Sequence, residues 1–328
     1  MHQVEEDTDA AGGERDTATE SSPYDSLWFD DGNIILSTDI HLYRVHKIVL
    51  AEHSAVFRDM FQMPSGDANE DVPTVRMAGD SDEEIKVLLL TLYNSKFKQA
   101  LQDTRAHALS SVLSISSKYN FHVIRTHVLR CLDSLFPTSL EGFLSSRIHE
   151  LELKNSPKLL FELLAAAHKF EIISIQPVLY YLCARFPLEA IIHLIPTLPI
   201  DCMKNLLLGR DWLCALSQHI VEQSLPSYRS GGSPLPISVR VCGVASCMET
   251  FRTLVARQFR CGLWRFFFVL DLDERGILRG INLRENGICE GCAANYLSQL
   301  DAMKEYAWSR LPQKFCHKLW EQIRLECR

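Results

Sequence analysis

Between residues 31 and 61 the spacing of apolar positions changes from strand-like to helical. Ile34 and Leu36, then Leu42, Tyr43 and Val45, form two short β-rich runs. Ser37-Thr38-Asp39 separates them with small polar side chains that favour a turn, so a β-hairpin is predicted. Val45, Ile48 and Val49 then follow helical spacing, and Ala51-Glu52-His53 is broken by Ser54, a good N-cap residue. A second short helix should start there, with Phe57, Met60 and Phe61 at i, i+3 and i+4 as its buried stripe. The polar stretch from Pro64 to Asp71 reads as a loop, and Val75 and Met77 alternate as a third strand. Ser81 with Glu84 forms a capping box. The helix it opens carries Ile85, Leu88, Leu89 and Leu92 on one face and ends near Tyr93-Asn94.

The pattern then repeats itself. Leu109, Val112, Leu113, Lys118-Tyr119, Phe121, Ile124, Val128, Cys131, Leu132 and Leu135 recur 51 residues later as Leu160, Leu163, Leu164, Lys169-Phe170, Ile172, Ile175, Leu179, Leu182, Cys183 and Phe186. Each copy reads as a helix, a tight turn at the Lys-aromatic pair and a second helix, so two αα-hairpins are expected to stack on a shared core. Pro187 and the run from Pro196 to Pro199 punctuate further helices up to about Leu225. Pro226 to Pro236 has the composition of a linker. Beyond it lie a cysteine pair, a helix candidate at 249–259, an apolar strand candidate from Leu263 to Leu270, a second cysteine pair and a long C-terminal helix.

Charge adds one boundary. Residues 1–23 hold seven acidic residues and a single Arg15, a net charge of −6 out of −7 for all 328 residues, so they read as a solvated acidic tail. With 47% hydrophobic residues the rest suits globular domains. The partition expected is a disordered tail at 1–23, a first domain at 24–135, a helical extension at 136–225, a linker at 226–236 and a Cys-rich unit at 237–328. No basic start leads into an apolar core, and no apolar run approaches the ~18 residues of a membrane helix. The expectation is a soluble protein of the cytoplasm, the nucleus or both. Eleven cysteines, an odd number scattered through helical patterns, point to reduced thiols.

The strongest chemical signal is Cys242-x4-Cys247 followed after 41 residues by Cys289-x2-Cys292. Four thiolates in two pairs fit one tetrahedral structural zinc, and the second pair precedes the helix-forming Ala293-Ala294-Asn295-Tyr296, whose N-terminus lowers thiol pKa. The bland alternative is small reduced residues in a modest domain, and Cys261 or Cys316-His317 are substitute ligands. Asp271 to Gly276 opens like a calcium loop but has Arg275 at the fifth position and Asn282 at the twelfth, where Glu is needed. His149-Glu150 lacks its second His because Leu153 stands there, and no G-x-S-x-G, Walker A or G-x-G-x-x-G run occurs. From residue 237 on, 14 Lys or Arg face 10 Asp or Glu, which a solvated helix face explains better than nucleic-acid binding. His46 and His53 read as structural histidines at the edge of a core.

The run His46-Lys47-x-Val49-Leu50-Ala51-x-x-Ser54-x-x-Phe57-x-x-Met60-Phe61, inside residues 24 to about 135, resembles the BTB/POZ domain. The cysteine pairs and Leu311-Pro312 resemble BTB-containing proteins abundant in basidiomycete fungi. The resemblance implies an α+β fold: a small sheet covered by helices, then helical hairpins and a small Cys-containing α+β unit. It implies a non-enzymatic scaffold or adaptor that homodimerises and binds other proteins. Asp31 and Lys47 match dimer-groove positions. Many such proteins recruit substrates to a cullin-type ubiquitin ligase through a hydrophobic-x-Glu motif, but here Ser65-Gly66-Asp67 occupies that place. Losing one buried anchor costs about 2 kcal/mol, roughly thirtyfold in affinity, unless Met63 serves in a shifted register. A zinc-containing transcriptional or chromatin regulator is the alternative.

Overall fold

The computed structural model describes residues 21–63, 72–94, 106–146, 156–224 and 283–326, together with Cys247, Thr250, Thr253, Leu254 and Leu270. The bulk of the acidic tail, Asp67, the 226–236 linker, Cys242, the calcium-like loop and the helix and strand candidates of the Cys-rich unit lie outside the described residues, apart from those few positions.

The predicted hairpin forms from β2 (Ile34–Ser37) and β3 (His41–Val45). Their antiparallel register sets Ile34 opposite Val45 and Leu36 opposite Tyr43, and all four are buried. With a side-chain period of two, that register alone turns one face into core. Thr38 makes the turn: its hydroxyl accepts the His41 N–H at 3.0 Å and donates to Asp82 at 2.6 Å. Two strands complete the sheet in the order β1-β3-β2-β4, with β4 (Thr74–Arg76) parallel to β2 and β1 (Ser22–Trp28) parallel to β3. β1 was not expected. It begins within the stretch read as acidic tail, and its register breaks between Pro23 and Trp28, so no alternation marks it.

Helices cover one face. Helix α1 (Lys47–His53) starts after an extended His46, so Val45 stays in the strand. The expected stripe is thereby corrected: Leu50 is buried while Ile48 is 73% exposed. Ser54 caps α2 (Ala55–Gln62) as predicted, accepting the Phe57 N–H at 3.1 Å. Phe57 is buried, and Met60 and Phe61 pack against the core from half-buried positions. Helix α3 (Asp82–Tyr93) carries the predicted capping box in both directions.

The repeat is real at atomic detail. The first hairpin is α4 (Ala106–Lys118) and α5 (His122–Leu135). After α6 (Leu140–Leu144) comes the second, α7 (Pro157–Lys169) and α8 (Gln176–Ala184). Each turn puts one residue in the left-handed region, Asn120 at φ 56° and Glu171 at φ 54°, positions 51 apart. In each, the next N–H reaches back to the helix, Phe121 to Ser116 O and Ile172 to Ala167 O, both at 2.8 Å. This is a Schellman C-cap formed twice. Helices α4 and α7 pack together, so the hairpins stack.

Short α9 (Leu188–Ile191) and a 3-10 turn (Ile195–Thr197) lead to α10 (Ile200–Ser224). The chain closes with α11 (Glu290–Cys316) and α12 (Trp320–Glu326). The sequence placed α11 in a unit apart, yet it lies on α8 and α10 and joins their hydrophobic core. Phe315 stacks on Tyr180 at 5.2 Å between ring centres. Gly209 makes room for it, since a Cβ there would stand 1.9 Å from Phe315 Cε1. Trp308 stacks on Trp320 at 5.0 Å and meets Phe143 of α6 at 5.3 Å.

Candidate interaction face and thiol cluster

Two of the residues expected to carry interaction, Asp31 and Lys47, flank the hairpin where it meets α1. Asp31, its side chain 85% exposed, pairs with His46, Oδ1 to Nε2 at 3.2 Å. The Tyr93 hydroxyl accepts the His46 backbone N–H at 3.0 Å and lies 3.3 Å from the ring Nδ1. For a neutral ring this selects the tautomer with its proton on Nε2, donating to Asp31 and accepting from Tyr93. Phe29 stacks on Tyr93 at 4.9 Å and leans on His46 at 5.2 Å, closing the cluster from the side. The His46 hydrogen bond is the main cause that holds the Asp31 carboxyl below its ordinary range.

Lys47 lies beside this cluster without joining it. Its backbone N–H donates to Asn33 Oδ1 at 2.8 Å, and its ammonium stands 5.8 Å from the Phe61 ring centre. Among the described residues the side-chain partner of Asp31 is thus His46 and not Lys47. His46 takes the structural role expected of it and also supplies that partner. Met63, the C-cap of α2, is 67% exposed, and Ile48 is another large apolar side chain in the open on α1.

Two acidic residues missed by sequence reasoning brace this half. Asp82, at the start of α3, accepts from Thr38, from Tyr43 at 2.8 Å and from His41 Nδ1 at 2.9 Å. Burial acts to raise its pKa, but the three hydrogen bonds together outweigh burial and hold it below 3.8. Asp80, with its side chain 3% exposed, pairs with Lys118 and accepts from the Tyr119 hydroxyl at 2.5 Å. Ser54 adds a further tie, donating to Tyr119 O at 2.5 Å. An acidic residue one turn before or at a helix start is the only signal sequence offered for either.

Two groups stand out among the described thiols. Cys183, Cys202 and Cys316 sit among apolar helices, and burial raises all three pKa values, that of Cys316 to about 12. Such thiols stay protonated and serve packing. Cys247, Cys289 and Cys292 differ: their sulfurs lie within 4.8 Å of one another at the start of α11. Cys289 is the N-cap residue, and its backbone N–H points at Cys247 Sγ, 3.3 Å away. Three of the four expected ligands are thus brought together.

The family model of the BTB/POZ domain matches residues 31–136. This chain carries a BTB/POZ domain. No curated protein and no solved structure matches the chain. BTB domains are protein-interaction domains that mediate self-association and binding to other proteins. The match takes in Asp31, His46, Lys47, Met63 and Tyr93 and ends at Phe136, so α4–α5 belongs to the BTB domain and α7–α8 follows it. The thiol cluster lies beyond it.

Proposed function

We propose that this chain is a non-enzymatic scaffold or adaptor that homodimerises through its BTB domain and recruits a second protein through the helices that follow. The observation that carries the reading is the BTB match over residues 31–136, with Asp31, Lys47 and exposed Met63 on it. The protein would act in the cytoplasm, the nucleus or both. Light scattering on the full chain tests the reading: a dimer at micromolar concentration is expected, weakened by Asp31→Ala with Lys47→Ala. A wild-type monomer at high micromolar concentration would overturn it.

Recruitment to a cullin-type ubiquitin ligase is a subordinate reading, supported by the exposure of Met63, the anchor of a shifted register. A pull-down in which Met63→Ala leaves cullin capture unchanged would sink that register. The second reading, a zinc-containing transcriptional or chromatin regulator, draws on the cysteines. Cys247, Cys289 and Cys292 cluster, and Cys242 is the fourth ligand proposed for one structural zinc. It calls for salt-dependent DNA binding, and binding indifferent to salt or absent would count against it.

A further inference from the structure

Three cysteine sulfurs meet at the start of α11. Leu283 to Gly287 forms a tight turn closed by two backbone hydrogen bonds, Gly287 N–H to Arg284 O at 3.1 Å and Ile288 N–H to Leu283 O at 3.0 Å. Gly287 holds φ +87°, a conformation that side-chain-bearing residues rarely adopt. The turn delivers Cys289 to the N-cap and Cys292 to the third helical position, on the same side of the first turn. Buried Cys247 comes from far upstream to complete the triangle.

Protonated thiols are weak donors and weak acceptors, so packing alone gives three of them little reason to converge. Thiolates have one. A tetrahedral site with metal–sulfur bonds of about 2.3 Å sets its sulfurs about 3.8 Å apart. A spread within 4.8 Å reaches that geometry by small rotamer changes. Two features stabilise negative sulfur there: the Cys289 N–H directed at Cys247 Sγ, and the positive end of the α11 dipole. Soft sulfur donors select zinc-like and copper(I)-like ions over magnesium or calcium.

We propose that Cys247, Cys289 and Cys292 bind one thiophilic cation of the zinc class, which pins the N-terminus of α11 to the Cys247 segment. Each thiol releases its proton to solvent as its sulfur–metal bond forms, so binding weakens as pH falls. The role is structural, because α11 packs on α8 and α10 and the clamp fixes where that helix begins. The inference deepens the metal part of the second reading above and is independent of BTB self-association.

Elemental analysis of the purified full chain should give about one zinc per chain, and Cys289→Ser with Cys292→Ser should bring it near zero. Less than about 0.2 per chain in the wild type, or unchanged zinc in the double variant, overturns the proposal. Should the double variant fail to fold, wild-type protein stripped with a chelator is titrated with cobalt(II). A saturable thiolate-to-cobalt charge-transfer band at one equivalent supports the site, and its absence overturns it. Light scattering on the stripped protein separates the two readings, since a dimer that survives stripping leaves self-association standing whatever the metal result.

Discussion

The two αα-hairpins have the same turn and opposite surroundings. Lys118-Tyr119-Asn120 and Lys169-Phe170-Glu171 end their helices with the same backbone hydrogen bonds, and each lysine sits 5.2 Å from the ring centre that follows it. The first turn is wired into the BTB domain by polar groups: Tyr119 and Lys118 to Asp80, and Ser54 to the Tyr119 carbonyl. The second hairpin sends α8, buried at every position, between α10 and α11, where rings stack and Gly209 gives way to Phe315. A shared local motif thus fixes the shape of a hairpin. What it fastens to is decided by one or two side chains, an aromatic hydroxyl in one copy and its absence in the other.

The comparison breaks most sharply at the apolar end. Phe315→Ala should lower stability by about 3–5 kcal/mol, the usual cost of emptying a buried ring, measured by urea unfolding of the full chain. Gly209→Ala should cost about 2 kcal/mol because overpacking outweighs the better helix propensity of Ala. A neutral result at Gly209 would mean that Phe315 does not sit where the account has it.

At the polar end, Tyr119→Phe removes the hydroxyl that Asp80 accepts and should cost about 1–2 kcal/mol, whereas Phe170→Tyr in the other copy should be nearly neutral. Equal effects at the two sites would erase the distinction. Acid should loosen the BTB half in particular. The folded pKa of Asp82 is depressed, so its contribution is present above the unfolded value near 3.8 and is lost as pH falls from there through the folded value. Wild-type stability should therefore drop more steeply below pH ~4 than that of Asp82→Asn, and identical slopes would contradict the assignment.

The smallest effect sharpens the turn itself. Glu171 occupies the left-handed region that Gly adopts freely, so Glu171→Gly should gain up to about 1 kcal/mol. Asn120→Gly should gain less, because Asn tolerates that conformation. Thermal melts of the two variants check the order.

Where a side-chain period is long enough to see, the sequence already contained the answer. Ile34, Leu36, Tyr43 and Val45 alternate across a register that buries all four, and the 51-residue repeat reappears in its apolar positions and in the turn bonds. Caps at Ser54 and Ser81 were legible because side-chain oxygen and backbone N–H lie three residues apart. Strand β1 was hidden because it pairs with β3 only near its ends, leaving Leu27 as its one buried residue. The docking of α11 on α8 was hidden for a different reason: rings distant in sequence carry no periodicity that links them. At the candidate sites, spacing brought out the cysteines, three of which meet in space. The Asp31 to His46 pairing turns on side-chain direction, which a motif does not record.

The proposal that the BTB half carries self-association, while the apolar packing of the second half holds the fold, is tested most directly by the mass of the full chain in solution. Multi-angle light scattering should find a dimer for the wild type, a dimer for folded Gly209→Ala and a shift toward monomer for Asp31→Ala with Lys47→Ala. A wild-type monomer at high micromolar concentration, or a dimer untouched by the paired BTB substitution and lost on Gly209→Ala, would contradict the account.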